Sequence, residues 1–124
     1  MLTERGTFFG YNRLVNDFVG VADMMQLGWP VCFDVTHSTQ QPGNAEGGSV
    51  TGGRPERSPA LARAAVAVGV QALFLETHPD PRSSKSDAAS MLPLDQTLTL
   101  LDDLARLRAA LEASGAASAR SPGA

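Results

Sequence analysis

The sequence has little cysteine and no concentration of basic residues, and each shortage excludes a class of protein. Its 124 residues include one cysteine, Cys32, so no internal disulfide can form and a reducing compartment is expected. The 10 basic residues never form a run and are outnumbered by 13 acidic ones, which gives a net charge of -3. Because nucleic-acid binders concentrate positive charge, we expect no nucleic-acid partner.

Long apolar runs are also absent. A helix that spans a bilayer needs about 18 or more consecutive apolar residues, and no stretch of this sequence approaches that length. The first residues, MLTERG, lack the basic and then apolar order of a signal peptide. These features predict a cytoplasmic protein with no membrane partner.

The composition nevertheless supports a folded core. Hydrophobic residues make up 43% of the chain and charged residues 19%, which is typical of a globular protein. A length of 124 residues favours one domain. It is too short for a complete (β/α)8 barrel, which takes roughly 250 residues.

Three units follow along the chain, each an apolar run, a loop and a helical segment. In the first, residues 1–3 precede a segment whose apolar residues recur at helical spacing. We predict a helix with Asn12 as its N-cap and Gly28 as the left-handed residue after its end. Its expected buried face consists of Leu14, Val15, Phe18, Val19, Ala22 and Met25.

The second unit begins with residues 31–35, which are apolar on both faces except at Asp34, a pattern typical of a strand buried in a parallel sheet. A glycine-rich loop is predicted over residues 36–57, and loops of that length in ordered domains commonly act as lids or binding loops. Ser58 and Pro59 then start a helix that Gly69 ends. The residues expected to face the core are Leu61, Ala64, Ala65 and Val68.

The third unit repeats the plan, with residues 72–76 as a buried strand that ends in Glu76 and a loop over residues 77–92. Pro93 starts the last helix, whose leucine stripe consists of Leu94, Leu98, Leu101, Leu104 and Leu111. Residues 114–124 are almost entirely serine, glycine, alanine and proline, so we predict a disordered tail after a folded portion at residues 1–113.

This alternation predicts an α/β fold in which right-handed crossover helices join parallel strands. Three units cannot close a barrel, and no helix precedes the first strand to cover the sheet. We therefore interpret the chain as the C-terminal part of a larger α/β protein.

Polar residues follow each predicted strand, at the edge where parallel sheets place their ligand sites. Arg5 follows the first strand, His37 the second, and Glu76 ends the third. With an acid from the last loop, Asp80 or Asp87, this set offers one imidazole and two carboxylates, which suits Mn2+, Fe2+ or Zn2+.

Each of these residues also has a structural interpretation. His37 could simply cap a strand end, and Arg5 could pair with Glu4 or Asp17 at the surface. Glu76 is harder to explain this way, because a carboxylate that ends a buried strand must find a cation, a metal or strong donors.

Three further polar residues are interpreted as structural. We expect Asp34 to partner neighbouring backbone or a basic residue. We expect His78 to be a loop residue that orients Glu76 or its neighbours. Cys32 lies between apolar residues, which favours packing in the core over a role as nucleophile.

Four motifs make the pattern specific: LTERGTFFGYN at residues 2–12, FDVTHSTQ at 33–40, FLETHPDP at 74–81 and SDAASMLPL at 86–94. In this order and at these separations they resemble 3-deoxy-D-manno-octulosonate 8-phosphate synthase, and the resemblance covers about residues 2–111. It implies the last three βα units of a (β/α)8 barrel, homotetrameric when complete. The implied reaction condenses phosphoenolpyruvate with arabinose 5-phosphate and releases phosphate, in lipopolysaccharide biosynthesis.

The resemblance also implies roles for individual residues. Arg5 would bind the phosphate of phosphoenolpyruvate, and His37, Glu76 and Asp87 would be metal ligands, so that Asp87 is preferred to Asp80. Arg5, His37 and Asp87 are the expected catalytic residues. Substrate contacts are expected from Arg5, His37 and Gln40, which lies at the mouth of the site.

A divalent metal (Fe2+, Mn2+ or Zn2+) and no organic cofactor are expected. The family's fourth ligand, a cysteine, lies on a first strand that this chain does not include. Metal-independent members tend to have Cys-Asp-Gly where this chain has SDA at residues 86–88, so the local sequence favours the metal-dependent class. The loop at residues 44–57 departs from the typical family pattern.

Two other functions remain open. The related 3-deoxy-D-arabino-heptulosonate 7-phosphate synthase shares the barrel and similar motifs, but it usually has Asp-Pro-Ser-His where this chain has DVTH at residues 34–37. Alternatively, the chain is a truncated, non-catalytic interaction module, because the family's sugar-phosphate site lies in the absent half and an open half-barrel exposes a strand edge. We expect the 124-residue chain to be inactive by itself.

Overall fold

Strands and helices alternate along the chain in the computed structural model, which describes residues 1–43 and 51–115. The strands are β1 (Leu2–Glu4), β2 (Val31–Asp34), β3 (Gln40–Gln41), β4 (Gly52–Gly53), β5 (Ala72–Phe74), β6 (Thr77–His78) and β7 (Leu92–Pro93). The helices are α1 (Phe18–Gln26), α2 (Val35–Ser38), α3 (Ser58–Val68) and α4 (Leu94–Ala113). Two short 3-10 helices cover Pro55–Arg57 and Pro81–Ser83.

Three strands form a parallel sheet in the order β1, β2, β5. Thr3 lies beside Cys32 on β2, and Cys32 lies beside Ala72 on β5. Parallel neighbours need a crossover connection, and these crossovers contain α1 between β1 and β2, and α3 between β2 and β5. The predicted α/β fold with parallel strands is therefore confirmed.

The central strand β2 is the most protected part of the sheet. All four of its residues are buried, with Val31 and Phe33 fully excluded from solvent. Strands on both sides and helices packed on the sheet account for this burial, as the apolar pattern of residues 31–35 predicted. The core comprises Val21, Val31, Phe33, Val35, Ala62, Ala65, Val66, Val70, Leu92, Leu100 and Leu104.

The first helix begins later than the sequence predicts. Asp17, and not Asn12, is the N-cap of α1, and its side chain accepts a hydrogen bond from the backbone N of Val19 at 3.0 Å. Residues before Asp17 belong to the loop, in which Val15 pairs with Thr7. Leu14 is thus outside the helix, whereas Gly28 has the predicted left-handed backbone (φ 80°).

Two predicted helix faces need correction. In α1, Val19 is 71% exposed instead of buried. In α4 the buried leucines are Leu100 and Leu104, with Leu107 and Leu111 partly covered, so the core-facing stripe is rotated from the predicted one. The predicted stripe members at the surface are Leu94, Leu98 and Leu101, which are 40%, 57% and 45% exposed.

Helix α3 agrees more closely with the prediction. Its first helical residue is Ser58 and its N-cap is Arg57, whereas the sequence predicted Ser58 as the N-cap, so the helix begins one residue early. Ala65 is buried, and Leu61 and Val68 pack against the core. Its end is as predicted, since Gly69 adopts a left-handed conformation (φ 100°).

The third strand is shorter and more exposed than the buried strand predicted at residues 72–76. Strand β5 ends at Phe74, which is 42% exposed, and Glu76 lies beyond it. The cause is topological, because β5 pairs with β2 on one side and has no second neighbour among the described residues. Its apolar sequence resembles that of a central strand, but its position is an edge.

The two predicted loops contain short ordered elements. Helix α2 and strands β3 and β4 lie in the loop at residues 36–57, where β3 and β4 pair antiparallel; its residues 44–50 lie outside the described part. In the loop at residues 77–92, β6 and β7 pair parallel. Of the predicted tail, only Ser114 and Gly115 are described. Within residues 1–43 and 51–115, no helix is long and apolar enough to cross a bilayer.

Candidate active site

The turn after β1 fixes the backbone on either side of Arg5. Glu4 Oε1 accepts a hydrogen bond from the backbone N of Gly6 at 2.6 Å, so the strand's last side chain closes over Arg5. Gly6 has a left-handed backbone (φ 90°), which glycine adopts readily. Asn16 supports the turn, because its Nδ2 donates to Ser38 Oγ at 2.9 Å and lies 3.4 Å from Glu4 Oε1.

Asp34 orients His37 at the end of β2. As the N-cap of α2, Asp34 accepts a hydrogen bond through Oδ1 from the backbone N of His37 at 3.0 Å. Its Oδ2 lies 2.7 Å from His37 Nδ1. Because Nδ1 is engaged by the carboxylate, Nε2 is left to face the site. Asp34 is thus a partner of neighbouring backbone, as predicted, and of the imidazole as well.

Glu76 faces the same imidazole from the end of β5. Its Oε1 lies 3.6 Å from His37 Nε2, and its backbone N donates to Thr36 Oγ1 at 2.7 Å. The other carboxylate oxygen, Oε2, is buried and has no hydrogen-bond partner among the described residues. An unpaired buried carboxylate oxygen is costly, so this group fits a bound cation.

Asp87 comes from the loop between β6 and β7. It has a left-handed backbone (φ 51°), and its carbonyl accepts hydrogen bonds from the backbone N of Ser90 and of Met91. One ligand atom from each of His37, Glu76 and Asp87 lies within 4.8 Å of the others. The fold therefore brings together the three residues for which the family resemblance implied metal binding.

Asp80, the other candidate acid, is turned to its own loop. Its Oδ1 accepts from the backbone N of Arg82 at 3.3 Å. His78 Nδ1 lies 2.8 Å from the backbone O of Asp80, so the predicted role of His78 in orienting Glu76 is not seen. The geometry favours Asp87, and Asp80 does not join the cluster among the described residues.

Arg5 joins the cluster through Gln40. Its Nη2 donates to Gln40 Oε1 at 3.0 Å, and Gln40 Nε2 donates to Asp87 Oδ1 at 2.9 Å. The alternative surface pair of Arg5 with Glu4 or Asp17 is not seen. The candidate site residues thus form one continuous group at the strand ends, which consists of Arg5, His37, Gln40, Glu76 and Asp87.

The donor set fits a divalent ion. Ligand atoms that each lie about 2.1 Å from one ion are at most about 4.2 Å apart, close to the 4.8 Å limit of this cluster. One imidazole with two carboxylates suits Mn2+, Fe2+ or Zn2+. The carboxylate behind the imidazole adds the outer-shell partner that metal-binding histidines usually have.

Cys32 plays no part in this group. It is 6% exposed on β2, and burial raises the pKa of its thiol, with a smaller contribution from the negative charge of Asp34. Both effects disfavour the thiolate, which is the nucleophilic form. Its predicted place in the core is confirmed.

Asn16, Thr36 and Ser38 support the site but were not predicted to do so. Each is a short polar residue, and no periodicity in the sequence marks it. Asn16 links the loop after β1 to Ser38 of α2, and Thr36 of α2 accepts a hydrogen bond from the backbone N of Glu76. The proximity of Thr36 and Ser38 to His37 in the chain is the one feature that could have drawn attention to them.

A parallel α/β sheet with a candidate metal-binding group at the carboxyl ends of its strands defines the class of protein. A model of the DAHP synthetase I family matches residues 1–113. The chain belongs to this family.

The curated relatives carry the name 2-dehydro-3-deoxyphosphooctonate aldolase, which denotes the same enzyme as the synthase that the motifs resemble. The protein of Hydrogenovibrio crunogenus is 49% identical over 107 residues, covering 86% of this chain and 38% of that protein. The protein of Stenotrophomonas maltophilia K279a is 50% identical over 115 residues, covering 93% and 41%. This chain thus spans about two fifths of their length.

Solved structures show the same similarity at the level of the fold. A DAHP synthase (phospho-2-dehydro-3-deoxyheptonate aldolase) from Thermotoga maritima is similar with a TM-score of 0.69 and 29% identity, over 90% of this chain and 30% of that one. A truncated form of 3-deoxy-D-arabino-heptulosonate 7-phosphate synthase from the same organism has a TM-score of 0.70 and 27% identity, over 90% and 38%.

Proposed function

We propose that this chain is the C-terminal part of a metal-dependent synthase that condenses phosphoenolpyruvate with arabinose 5-phosphate. The products are 3-deoxy-D-manno-octulosonate 8-phosphate and phosphate. The observation that carries the proposal is the convergence of His37, Glu76 and Asp87, with ligand atoms within 4.8 Å, beside an arginine held at the same strand ends.

In this proposal residues 1–113 form the last three βα units of a (β/α)8 barrel, and residues 114–124 a disordered tail. The parallel order β1, β2, β5 follows the chain order, as neighbouring strands of such a barrel do. Strands β1 and β5 each have one free edge among the described residues, where further strands could continue the sheet.

The metal site would consist of His37, Glu76 and Asp87, and a bound divalent ion would polarise the reacting oxygen atoms. Asp34 keeps His37 Nε2 directed into the site, and the buried Oε2 of Glu76 supplies uncompensated negative charge there. Asp34 and Gln40 hold His37 and Asp87 through hydrogen bonds, and side chains fixed in this way need little reorganisation at the moment of reaction.

Arg5 would bind the phosphate of phosphoenolpyruvate. Its planar guanidinium suits a tetrahedral oxyanion, and the Glu4–Gly6 hydrogen bond holds its backbone at the end of β1. The positive charge of Arg5 would offset the negative charge of the substrate phosphate while the carbon–carbon bond forms and phosphate is released.

Sugar choice separates this proposal from the second candidate, 3-deoxy-D-arabino-heptulosonate 7-phosphate synthase. The solved structures with that activity in their names are 27–29% identical to this chain, whereas the octulosonate relatives are 49–50% identical. The natural gene product, meaning the whole protein of which this chain would be the C-terminal part, should release phosphate from phosphoenolpyruvate when arabinose 5-phosphate is supplied. Turnover with erythrose 4-phosphate alone would favour the second candidate.

A non-catalytic interaction module is the remaining candidate, favoured by the exposed apolar residues Phe74 and Leu98. We expect the 124-residue chain alone to be inactive, and turnover by the purified chain would contradict that expectation. A cytoplasmic homotetramer in lipopolysaccharide biosynthesis completes the proposal. Sedimentation of the natural gene product tests the assembly.

A further inference from the structure

The two polar ends of the Gln40 side chain are both engaged by functional residues. Its carbonyl oxygen accepts from Arg5 Nη2 at 3.0 Å, and its amide nitrogen donates to Asp87 Oδ1 at 2.9 Å. A glutamine amide can accept a hydrogen bond from a guanidinium through its oxygen and donate one to a carboxylate through its nitrogen at the same time. Both polar ends of Gln40 therefore contact other residues of the candidate site.

The backbone around Gln40 is braced against the loop that carries Asp87. Gln40 pairs with Gly53 across the β3–β4 ribbon (Gln40–Gln41 with Gly52–Gly53). Gly53 sits so close to Ala89 that an added Cβ would overlap the backbone carbonyl of that residue. The absence of a side chain at Gly53 therefore lets the ribbon lie directly against the Asp87 loop.

Asp87 needs such support, because its own loop leaves it strained. A left-handed backbone is uncommon for a residue other than glycine and is kept only where neighbouring contacts hold it. The hydrogen bond from Gln40 fixes Oδ1 of a carboxylate that also has an oxygen within 4.8 Å of ligand atoms of His37 and Glu76.

We infer that Gln40 is a positioning residue, whose two hydrogen bonds fix the metal ligand Asp87 and the anion-binding Arg5 relative to each other. In this inference Gln40 acts through Arg5 and Asp87, whereas the family resemblance implied a direct contact with substrate. The inference rests on the proposed metal site and substrate phosphate.

The test is a titration of the metal-free natural gene product with Mn2+ by calorimetry. Gln40→Met keeps the length of the side chain and removes both hydrogen bonds, and it should weaken Mn2+ binding by about 10–100-fold, as loss of an outer-shell partner does. Gln41→Met is the matched control, since neighbouring side chains on a strand point to opposite faces, and it should bind Mn2+ as the unchanged protein does.

A second variant tests the contact between the ribbon and the Asp87 loop, and a folding measurement accompanies each variant. Gly53→Ala should push the Asp87 loop away from the ribbon and also weaken Mn2+ binding, while circular dichroism reports whether each variant keeps its helices. In the natural gene product, Gln40→Met should raise the KM for phosphoenolpyruvate as well, because Arg5 loses its anchor. A role confined to folding would not raise KM while the remaining protein is intact.

The outcomes separate the inference from the proposed function. Failure of the unchanged protein to bind Mn2+ would overturn the metal site and the inference with it. Binding by the unchanged protein, with equal affinity in a folded Gln40→Met variant, would overturn only the inference. Weakened binding in Gln40→Met but not in Gln41→Met supports it.

Discussion

The two sides of the candidate site are built in different ways. On one side, His37 follows the central strand β2 directly, and the buried carboxylate of Asp34 holds both its backbone and its ring. On the other side, Arg5 and Asp87 lie on loops and are joined by the side chain of Gln40. The packed sheet positions His37, and we call this the sheet side. Hydrogen bonds between loops position Arg5 and Asp87, and we call this the loop side.

This difference has a consequence for stability and function. The sheet side is held by burial of β2 between two other strands, so its geometry changes only when the core does. The loop side depends on single hydrogen bonds, each worth about 0.5–1.5 kcal/mol. Changes on the sheet side should therefore affect folding as well as metal binding, whereas changes on the loop side should alter affinity without unfolding the core.

The largest expected effect comes from the core of the sheet side. Phe33 is fully buried on β2, so Phe33→Ala should lower the free energy of unfolding of the chain by about 3–5 kcal/mol. Phe9, in the loop after Arg5, is 76% exposed, and Phe9→Ala should change it by less than about 0.5 kcal/mol. Urea unfolding of both variants measures the contrast, and equal losses would contradict it.

A smaller effect is expected from the carboxylate behind His37. Asp34→Asn keeps the shape and an oxygen for the backbone N–H, but it removes the charge that holds His37 Nδ1. Mn2+ affinity should fall by about 10–100-fold. Asp17→Asn serves as the control because asparagine caps a helix as well as aspartate does, and the cap of α1 lies outside the metal cluster. Unchanged affinity in Asp34→Asn would mean that the sheet alone orients His37.

A weaker effect is expected from the loop side. Asn16→Ala removes the hydrogen bond from Nδ2 to Ser38 Oγ and the contact with Glu4. The lost hydrogen bond is worth about 1 kcal/mol, so the KM of the natural gene product for phosphoenolpyruvate should rise about fivefold. The Mn2+ affinity should change little. A large fall in Mn2+ affinity would show that the two sides are coupled more tightly than their separate supports suggest.

The smallest effect concerns Cys32, which reports on how well β2 is shielded. Burial raises the pKa of this thiol, so less thiolate is present at neutral pH than for an ordinary cysteine. The folded chain should react slowly with a thiol reagent, and one thiol should react rapidly in guanidinium. Rapid reaction of the folded chain would indicate that the central strand is open to solvent.

Patterns along the sequence predicted the sheet side well. A short run that is apolar except at Asp34 predicted that β2 is buried in a parallel sheet, and the end of that run predicted His37 at the carboxyl edge. The same kind of pattern misplaced β5, since burial at an edge depends on neighbours that the run itself does not specify. The rotated leucine stripe of α4 has a related cause, because several faces of that helix carry leucine and packing against α3 selects one.

The loop side could be predicted only through family resemblance. No spacing rule selects Asp87 over Asp80, and the choice depends on how the loop turns after β6. The link from Gln40 to Arg5 and Asp87 joins residues 35 and 47 positions apart, which no local pattern encodes. The supporting hydrogen bonds of Asn16 and Thr36 were invisible for the same reason.

The central claim is that His37, Glu76 and Asp87 hold one divalent ion. The most direct test is the stoichiometry and affinity of Mn2+ binding to the metal-free natural gene product, compared with its Glu76→Gln variant, which removes the carboxylate charge at the buried Oε2 while keeping the size of the side chain. We predict one ion per chain, with an affinity at least 100-fold lower in Glu76→Gln. No binding by the unchanged protein, or equal binding by Glu76→Gln, would contradict the account.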